Sequence, residues 1–328
     1  RITIEGNPDH TPEYGIWNNG GTVINNEPAG NLSNSGVIDI LGLDVWDTAI
    51  QNVGTFTNKG IIMLDGHNRD GIRLIEEGVF NNNAGTINTR AGWWGIRLSD
   101  HASFFNNAEI RIEDTRNEAI RNEGQGEFTN NNLVDVHGSN SGLGATDNSI
   151  FTNTGNLHLE TLNNNGINTS AEAIVNNIGC EILINQASTG IFTADTTLFE
   201  NSGGIIRIGS VKRRAIQLSS SSNFTNTEGG LIYIDSMAME IEDAILSAGS
   251  ANFFNDQCSG IINLSNDRMG VGTSGNSIFR NNGWIISYSN MNNRITDNQI
   301  GTIINFGSGA INILNDPDIP ANNDTMNN

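Results

Sequence analysis

The chain has 328 residues, with 36 acidic against 16 basic side chains and a formal net charge of −20 at pH 7. This field repels nucleic acid and anionic membrane surfaces, so neither is an expected partner. Only 36% of the residues are apolar and 16% are charged, a mixture typical of disorder unless a repeat organises it. No stretch has the roughly 18 apolar residues that would predict membrane insertion.

A repeat does organise the chain. A phenylalanine, or an aliphatic residue in its place, returns about every 24 residues and is followed two positions later by asparagine. A period this regular predicts a solenoid in which each repeat buries its apolar face against its neighbours. The copies are Leu32/Asn34, Phe56/Asn58, Phe80/Asn82, Phe104/Asn106, Phe128/Asn130, Phe151/Asn153, Ile174/Asn176, Phe199/Asn201, Phe224/Asn226, Phe253/Asn255 and Phe279/Asn281.

Each period contains three stations in a fixed order: Gly-Ile-x-Leu, then Phe-x-Asn-x-Gly, then Ile-x-Ile. One good copy has Ile96 and Leu98, then Phe104, then Ile110 and Ile112. Each station alternates apolar and polar residues, as a strand with one buried face does. The stations recur in one direction, so each strand should pair with its equivalent one period later. We therefore predict an all-β fold, a right-handed parallel β-helix of about 24 residues per coil, about 12 coils and three parallel sheets.

The unbroken repeat predicts a single β-helix domain over residues 1–314, of which 1–14 form an N-terminal partial coil. Residues 315–328 have the composition of a tail or linker. Because the chain opens at Arg1 without Met, and already with a strand pattern, we expect it to be a piece of a longer protein. Cys180 and Cys258 lie about three coils apart, beyond disulfide reach, and are expected to be unpaired, buried thiols.

The asparagines after the phenylalanines are expected to form a structural column inside the solenoid. Stacked amides can hydrogen-bond along a column, and asparagine tolerates the left-handed backbone of a turn between two sheets. The predicted column is Asn58, Asn82, Asn106, Asn130, Asn153, Asn176, Asn201, Asn226, Asn255 and Asn281.

This coil resembles the right-handed parallel β-helix of the pectate-lyase-like superfamily. Its Asn- and Gly-rich repetition also resembles bacterial surface adhesins and giant extracellular proteins, which implies an extracellular or cell-surface location. The superfamily contains both enzymes and binding proteins, so the fold alone does not define the activity. The polygalacturonase-type motifs Asn-Thr-Asp, Asp-Asp and Arg-Ile-Lys are absent, and Gly66-His67-Asn68 replaces Gly-His-Gly.

Arginine occupies the outward position of the Gly-Ile-x-Leu station in three consecutive coils, at Arg73, Arg97 and Arg121. Side chains stacked about 5 Å apart repel unless anions intervene. Trp93 and Trp94 precede Arg97, and an exposed tryptophan pair beside an arginine row predicts a platform for a sugar ring or an acidic glycan. The other interpretation is a self-neutralising row of surface ion pairs. Its anions would come from the next turn, at Glu76, Glu77, Asp100 and Glu123.

Two further sets of acids suggest other sites. Glu76 and Asp100 lie one coil apart, within the separation of a glycosidase carboxylate pair. A column of acids and one histidine just past the Ile-x-Ile station could hold calcium, or could be a solvated edge. No other cofactor or metal is expected. The column is Asp65, Glu113, His137, Glu160 and Asp235.

The sequence therefore predicts a non-catalytic extracellular rod, stalk or adhesin segment of a larger bacterial surface or filament protein, binding glycans along one sheet. The alternative is a carbohydrate-active enzyme, either a polysaccharide lyase or a glycoside hydrolase, that uses the Arg, Trp and acid patch of the third to fifth coils. Expected partners are a glycan or cell-surface molecule, flanking domains of the same polypeptide and neighbouring protomers.

Overall fold

A computed structural model describes residues 2–5, 14–25, 36–235, 244–263, 271–288, 302–305 and 310–314. The described residues form strands and no helix. The named strands pair in parallel as a β-solenoid of about 24 residues per coil. This confirms the predicted fold class. No helix among the described residues is long and apolar enough to cross a membrane. The predicted tail, 315–328, lies outside the described residues.

The chain divides into two compact units, Arg1–Val175 and Asn176–Asn328. The strands of the first unit are β1 (Ile2–Glu5), β2 (Tyr14–Asn18), β3 (Thr22–Asn25), β4 (Val37–Asn52), β5 (Thr55–Asn58), β6 (Ile61–Leu74), β7 (Val79–Asn82), β8 (Thr86–Arg90), β9 (Trp94–Leu98), β10 (Ser103–Asn106), β11 (Glu109–Glu113), β12 (Glu118–Asn122), β13 (Glu127–Asn130), β14 (Leu133–His137), β15 (Ser141–Ala145), β16 (Ile150–Asn153), β17 (Asn156–Glu160) and β18 (Asn165–Thr169).

The first unit has three columns of strands, one for each predicted station. The phenylalanine column contains β3, β5, β7, β10, β13 and β16. The other two columns, which begin with β1 and β2, merge into one sheet because β4 and β6 each run without a break through both stations. Three sheets were predicted, and these two long strands reduce the hydrogen-bonded sheets to two.

The second unit repeats the three-column arrangement. Its strands are β19 (Ile174–Ile178), which contains the boundary between the units, β20 (Glu181–Asn185), β21 (Thr189–Thr193), β22 (Leu198–Ser202), β23 (Ile205–Gly209), β24 (Arg214–Leu218), β25 (Asn223–Thr227), β26 (Leu231–Asp235), β27 (Ile245–Ser247), β28 (Asn252–Asn255), β29 (Gly260–Asn263), β30 (Val271–Thr273), β31 (Ile278–Asn281), β32 (Trp284–Tyr288), β33 (Thr302–Asn305) and β34 (Ala310–Leu314).

Phenylalanine rings stack on one another inside each unit. In the first unit the neighbouring ring centroids from Phe56 to Phe151 are 4.6 to 5.2 Å apart. In the second unit those from Phe199 to Phe279 are 4.8 to 4.9 Å apart. These rings are fully buried, and offset stacking at the strand spacing adds to the gain from burial.

The first copy of the repeat differs from the prediction. Val23 of β3 is the register partner of Phe56, and Asn25 is the partner of Asn58. The predicted pair Leu32/Asn34 lies outside the described residues. The spacing from Val23 to Phe56 is longer than one period, so extending the 24-residue count backwards from Phe56 reaches the wrong segment.

The predicted asparagine column is an asparagine ladder buried in each unit. Each Nδ2 donates to the Oδ1 of the next coil, over 2.8 Å along Asn58–Asn82–Asn106–Asn130–Asn153. In the second unit the distances are 2.7 or 2.8 Å along Asn177–Asn201–Asn226–Asn255–Asn281. Because buried amides are costly when unpaired, the ladder ties adjacent coils into one register.

Two details of the predicted column were wrong. Asn176 is half-exposed and Asn177 is the ladder residue, because Val175 rather than Ile174 takes the inward position of β19. The ladder asparagines also do not take the left-handed backbone. That role belongs to the turn after the Gly-Ile-x-Leu station, where Glu76 and Asp100 have φ of 58° and 61°.

The cysteine prediction was half right. Both cysteines belong to the second unit, and no disulfide joins Cys180 to Cys258. The thiols are not buried, however, because Cys180 is partly exposed and Cys258 is exposed. Each lies three residues after a ladder asparagine, where the chain has already left the interior.

Neighbouring phenylalanines provide a matched test of the core. Phe104 faces inward and is fully buried, whereas Phe105 faces outward from the same strand. Phe104→Ala should destabilise the protein by about 3–5 kcal/mol, since the stacked rings above and below prevent collapse around the hole. Phe105→Ala should cost less than about 1 kcal/mol. Denaturant unfolding of both variants checks this, and equal losses would contradict the inward assignment.

Neighbouring asparagines test the ladder in the same way. Asn106→Ala removes partners from Asn82 and Asn130 in the interior and should cost about 2–4 kcal/mol. Asn107 forms an exposed row with Asn83 and Asn131, and Asn107→Ala should change stability by about 0.5 kcal/mol or less. Thermal melts that rank the two variants in the opposite order would show that the buried amides do not hold the coils together.

Candidate functional site

The predicted arginine row forms on the first unit. Arg73, Arg97 and Arg121 are register partners on β6, β9 and β12. Their side chains are only 23%, 16% and 25% exposed. Guanidinium groups that lie on adjacent coils and are mostly buried need nearby anions.

Two glutamates neutralise most of the row. Arg97 donates to Glu123 Oε1 over 2.6 and 2.9 Å, and Arg121 donates to Glu118 over 3.2 Å and to Glu123 over 3.3 Å. Burial raises the pKa of Glu123, but the hydrogen bond and charge of Arg97, with help from Ser99 and Arg121, hold it below its usual value. Glu123 was among the predicted counter-ions, whereas Glu118 was not.

The third arginine lies beside a buried acid. Asp70 is fully buried on β6, with Oδ2 4.0 Å from Arg73 Nε and 3.9 Å from Arg69 Nε, and it accepts a hydrogen bond from Thr48 over 3.3 Å. Burial raises the pKa of Asp70 to about 6, against the charges of Arg97, Arg73 and Arg69. Desolvation therefore destabilises the ionised carboxylate more than the neighbouring arginines and Thr48 stabilise it.

The other predicted acids lie elsewhere. Glu76 and Asp100 are exposed in the turn beyond the station, where Asp100 Oδ2 accepts the backbone N–H of Glu76 over 3.2 Å. Glu77 is exposed in the same turn. Among the described residues no arginine lies within ion-pair distance of these three carboxylates. The Asp100 carboxylate therefore caps a turn, at the end of β9 opposite Trp94.

The two tryptophans differ in their surroundings. Trp94 is partly buried; its Nε1 donates to Glu118 Oε2 over 2.9 Å, and the Arg97 guanidinium lies 4.6 Å from its ring centroid. Trp93 is 49% exposed, and its ring centroid is 6.0 Å from that of Trp94 at an angle of 44°. Arg97 and Glu118 therefore fix Trp94, while Trp93 presents an aromatic face to solvent.

A cavity of about 280 Å³ opens beside these rings. We call its lining residues, Asn68, Arg69, Trp93 and Trp94, the tryptophan corner. Its backbone is fixed on both sides, because Trp93 N–H donates to the Arg69 carbonyl over 2.8 Å and the Trp93 carbonyl accepts from Asn117 over 2.9 Å. The Asn68 amide oxygen lies 3.5 Å from Arg116 Nη1.

The tryptophan corner forms because two successive coils have different backbone conformations between the Ile-x-Ile and Gly-Ile-x-Leu stations. In the first of these coils the chain stays within strand β6, although Gly66 has a φ of 75°, whereas the next coil breaks between β8 and β9 at Ala91 and Gly92, which have φ of 67° and 92°. The His67 ring lies directly under this break, so a Cβ on Gly92 would come within 2.2 Å of it. Only glycine combines that φ with so close an approach.

The solenoid interior next to the corner holds unpaired polar groups. His67 is 1% exposed, and burial lowers its pKa to about 4, an effect that the Trp94 backbone offsets only in part. Among the described residues neither ring nitrogen has a hydrogen bond of good geometry, and Asp70 Oδ1 and Thr89 Oγ1 have none. Each such group costs about 1–3 kcal/mol. Costs of this kind are typical of functional sites rather than of supporting structure.

The predicted calcium column is only partly continuous. Asp65, Glu113, His137 and Glu160 share one register column in the first unit, but Arg90 occupies the intervening coil. Asp235 belongs to the second unit, where Gly209 is its partner. In the part of the chain that the structure describes, no group of three or more His, Cys, Asp or Glu side chains is placed to hold a metal ion. Calcium binding stays a prediction.

Sequence reasoning missed Glu118, Asp70 and His67. Glu118 had a usable signal, since it lies one period after Trp94. Asp70 had the same kind of signal, since it lies one period before Trp94 and is its register partner. His67 faces inward only because Gly92 leaves room for it.

Comparison with protein-family models, with curated proteins and with solved structures finds no match. The function must therefore be inferred from the side chains of the site.

The two buried titratable groups predict opposite pH dependences. His67 has a lowered folded pKa, so its contribution to stability is complete above about pH 6.5 and is lost as pH falls through about 4. Asp70 has a raised folded pKa, so its contribution is complete below about pH 3.8 and is lost as pH rises through about 6. Between pH 4 and 6 the two effects nearly cancel in the wild type.

Removing either group should reveal the pH dependence of stability that the other group causes. In Asp70→Asn the unfolding free energy should rise with pH between 4 and 6, and in His67→Gln it should fall, each by up to about 1.4 kcal/mol per pH unit. Other titrating groups contribute equally to both variants and disappear in their difference. Urea unfolding at several pH values measures the two slopes. Parallel pH profiles would mean that these groups are not buried as described.

Proposed function

We propose that this chain is a non-catalytic extracellular solenoid segment that binds an acidic glycan at the tryptophan corner. The observation that carries the proposal is an exposed Trp93 beside a cavity that Asn68, Arg69 and Trp94 complete. The resemblance of the repeat to bacterial surface adhesins and to the pectate-lyase-like superfamily supports a cell-surface role for such a segment.

The corner offers the contacts that a sugar ring needs. Trp93 provides an apolar face for the C–H groups of the ring, and the amide of Asn68 can exchange hydrogen bonds with hydroxyl groups. Sites of this type combine aromatic surface with a few fixed polar groups. Trp94 is already held by Arg97 and Glu118, so it supports Trp93 rather than providing a second free face.

Local charge favours an acidic sugar. The tryptophan corner and the arginine row beside it together contain four arginines, Arg69, Arg73, Arg97 and Arg121, against three acids, Asp70, Glu118 and Glu123. This surplus of cations is unusual in a chain whose net charge is −20. Arg69 lines the cavity and is 40% exposed, and a guanidinium can bind a carboxylate or sulfate through two hydrogen bonds.

The size of the cavity limits the ligand. The cavity volume of about 280 Å³ is just below the range of about 300–1,000 Å³ for small-molecule sites. One sugar unit would fill it, so each site should bind weakly and adhesion should depend on several copies acting together. The arginine row then has a positioning role, because Arg97 and Arg121 are already bound to glutamates.

Trp93→Ala should lower the affinity for acidic glycans by at least about tenfold, because it removes the stacking face. Trp17→Ala is the matched control, since Trp17 is 58% exposed on the same unit; it should leave binding unchanged. A glycan array followed by calorimetry with the best acidic ligand measures both effects. Unfolding midpoints check that each variant is folded.

The array also tests the charge argument. Arg69→Gln should reduce binding of acidic glycans more than binding of their neutral analogues. Equal binding by wild type and Trp93→Ala would reject the tryptophan corner as the site. Cleavage of a polysaccharide by the purified chain would reject a purely binding role.

A further inference from the structure

A second corner of the solenoid carries different chemistry. Lys212, Arg213 and Arg214 are the one run of adjacent cations in the sequence. In the second unit Lys212 and Arg213 lie between β23 and β24, and Arg214 is the first residue of β24. Arg213 and Arg214 take the coil positions of Trp93 and Trp94, because Ile216 of β24 and Ile96 of β9 occupy the same place in the Gly-Ile-x-Leu station. We call Lys212–Arg214 the basic corner.

The backbone of the basic corner is rigid while its side chains are exposed. Lys212 N–H donates to the Ala187 carbonyl over 3.0 Å, and Arg213 N–H donates to the Ser188 carbonyl over 2.8 Å. The preceding residue, Val211, is fully buried and anchors the turn. Lys212 and Arg213 therefore present their charges from a fixed frame, which lowers the entropic cost of binding a ligand.

These two charges lack the neutralising acids found elsewhere. No carboxylate of a described residue lies within ion-pair distance of Lys212 or Arg213, whereas nearby Arg207 pairs with Glu181 over 2.7 Å. The outward neighbours along this sheet, Phe192, Gln217 and Leu246, are uncharged. Adjacent like charges repel, and an anionic ligand would relieve that repulsion.

We propose that the basic corner is a second binding site, for the anionic groups of a linear acidic polysaccharide. Arg213 can bind a sulfate or carboxylate through two hydrogen bonds, and Lys212 adds a second positive charge beside it. A net charge of −20 disfavours nucleic acid, whose charges are only about 1.7 Å apart along a duplex. A polysaccharide with about one charge per sugar meets less of that repulsion. This site does not depend on the tryptophan corner.

The test uses the full chain at low salt with three immobilised probes. A heparin-type oligosaccharide presents sulfates, an oligogalacturonate presents carboxylates, and an uncharged dextran fragment is the control. Lys212→Gln/Arg213→Gln should lose at least about tenfold in affinity for one or both acidic probes. Arg111→Gln/Arg207→Gln removes the same charge from two exposed, ion-paired arginines and should stay within about twofold of wild type. Binding should weaken with added salt.

Several outcomes would overturn the proposal. Equal losses in the two double variants would mean that only net charge matters, and binding to dextran would remove the role of anions. The loss caused by Lys212→Gln/Arg213→Gln must persist in a Trp93→Ala background, where the tryptophan corner no longer binds; its disappearance there would assign the binding to the tryptophan corner. A further contradicting result is that wild type does not bind while a variant neutralised at Glu240, Glu242 and Asp243 binds. The chain's own acidic segment would then be the occupant, and the proposal would fail.

Discussion

The structure depends on one interaction, the hydrogen bond from each buried asparagine amide to its equivalent in the next coil. Asn106, for example, accepts from Asn82 and donates to Asn130, both over 2.8 Å. A slip of one residue would replace a buried amide with an outward side chain and leave its neighbours unpaired, at about 1–3 kcal/mol each. Phenylalanine stacking alone would fix the register less strictly than these hydrogen bonds, because apolar contacts have no preferred direction.

A fixed register in the strands leaves the corners free to vary. The corner before Trp94 breaks the strand at left-handed Gly92, whereas the equivalent part of β6 stays in strand despite left-handed Gly66. The difference places His67 inside and leaves a cavity outside. The basic corner uses the same position in the coil with Arg213 and Arg214 in place of the aromatic rings. Recognition can therefore diversify at the corners while the ladder stays unchanged, as in other repeat proteins.

The sequence contains the repeat, and hence the register of Phe104 with Phe128 and of Arg97 with Arg121. Prediction from the repeat fails where two neighbouring residues both suit the inward position. Ile174 and Val175 are such a pair, and because Val175 faces inward the ladder residue is Asn177. The site was only partly accessible to sequence reasoning. Trp93, Trp94 and the arginines follow from their spacing, whereas the cavity depends on corner lengths that periodicity does not encode.

Disulfide trapping of register partners tests the central claim most directly. Thr129 and Thr152 are outward partners on β13 and β16, and parallel neighbours about 4.8 Å apart lie within disulfide range. With both native cysteines replaced by serine, Thr129→Cys/Thr152→Cys should oxidise to an intramolecular bond, whereas Glu127→Cys/Thr152→Cys, two residues out of register, should not. A bond in the second pair and none in the first would contradict the register on which the ladder and both corners depend.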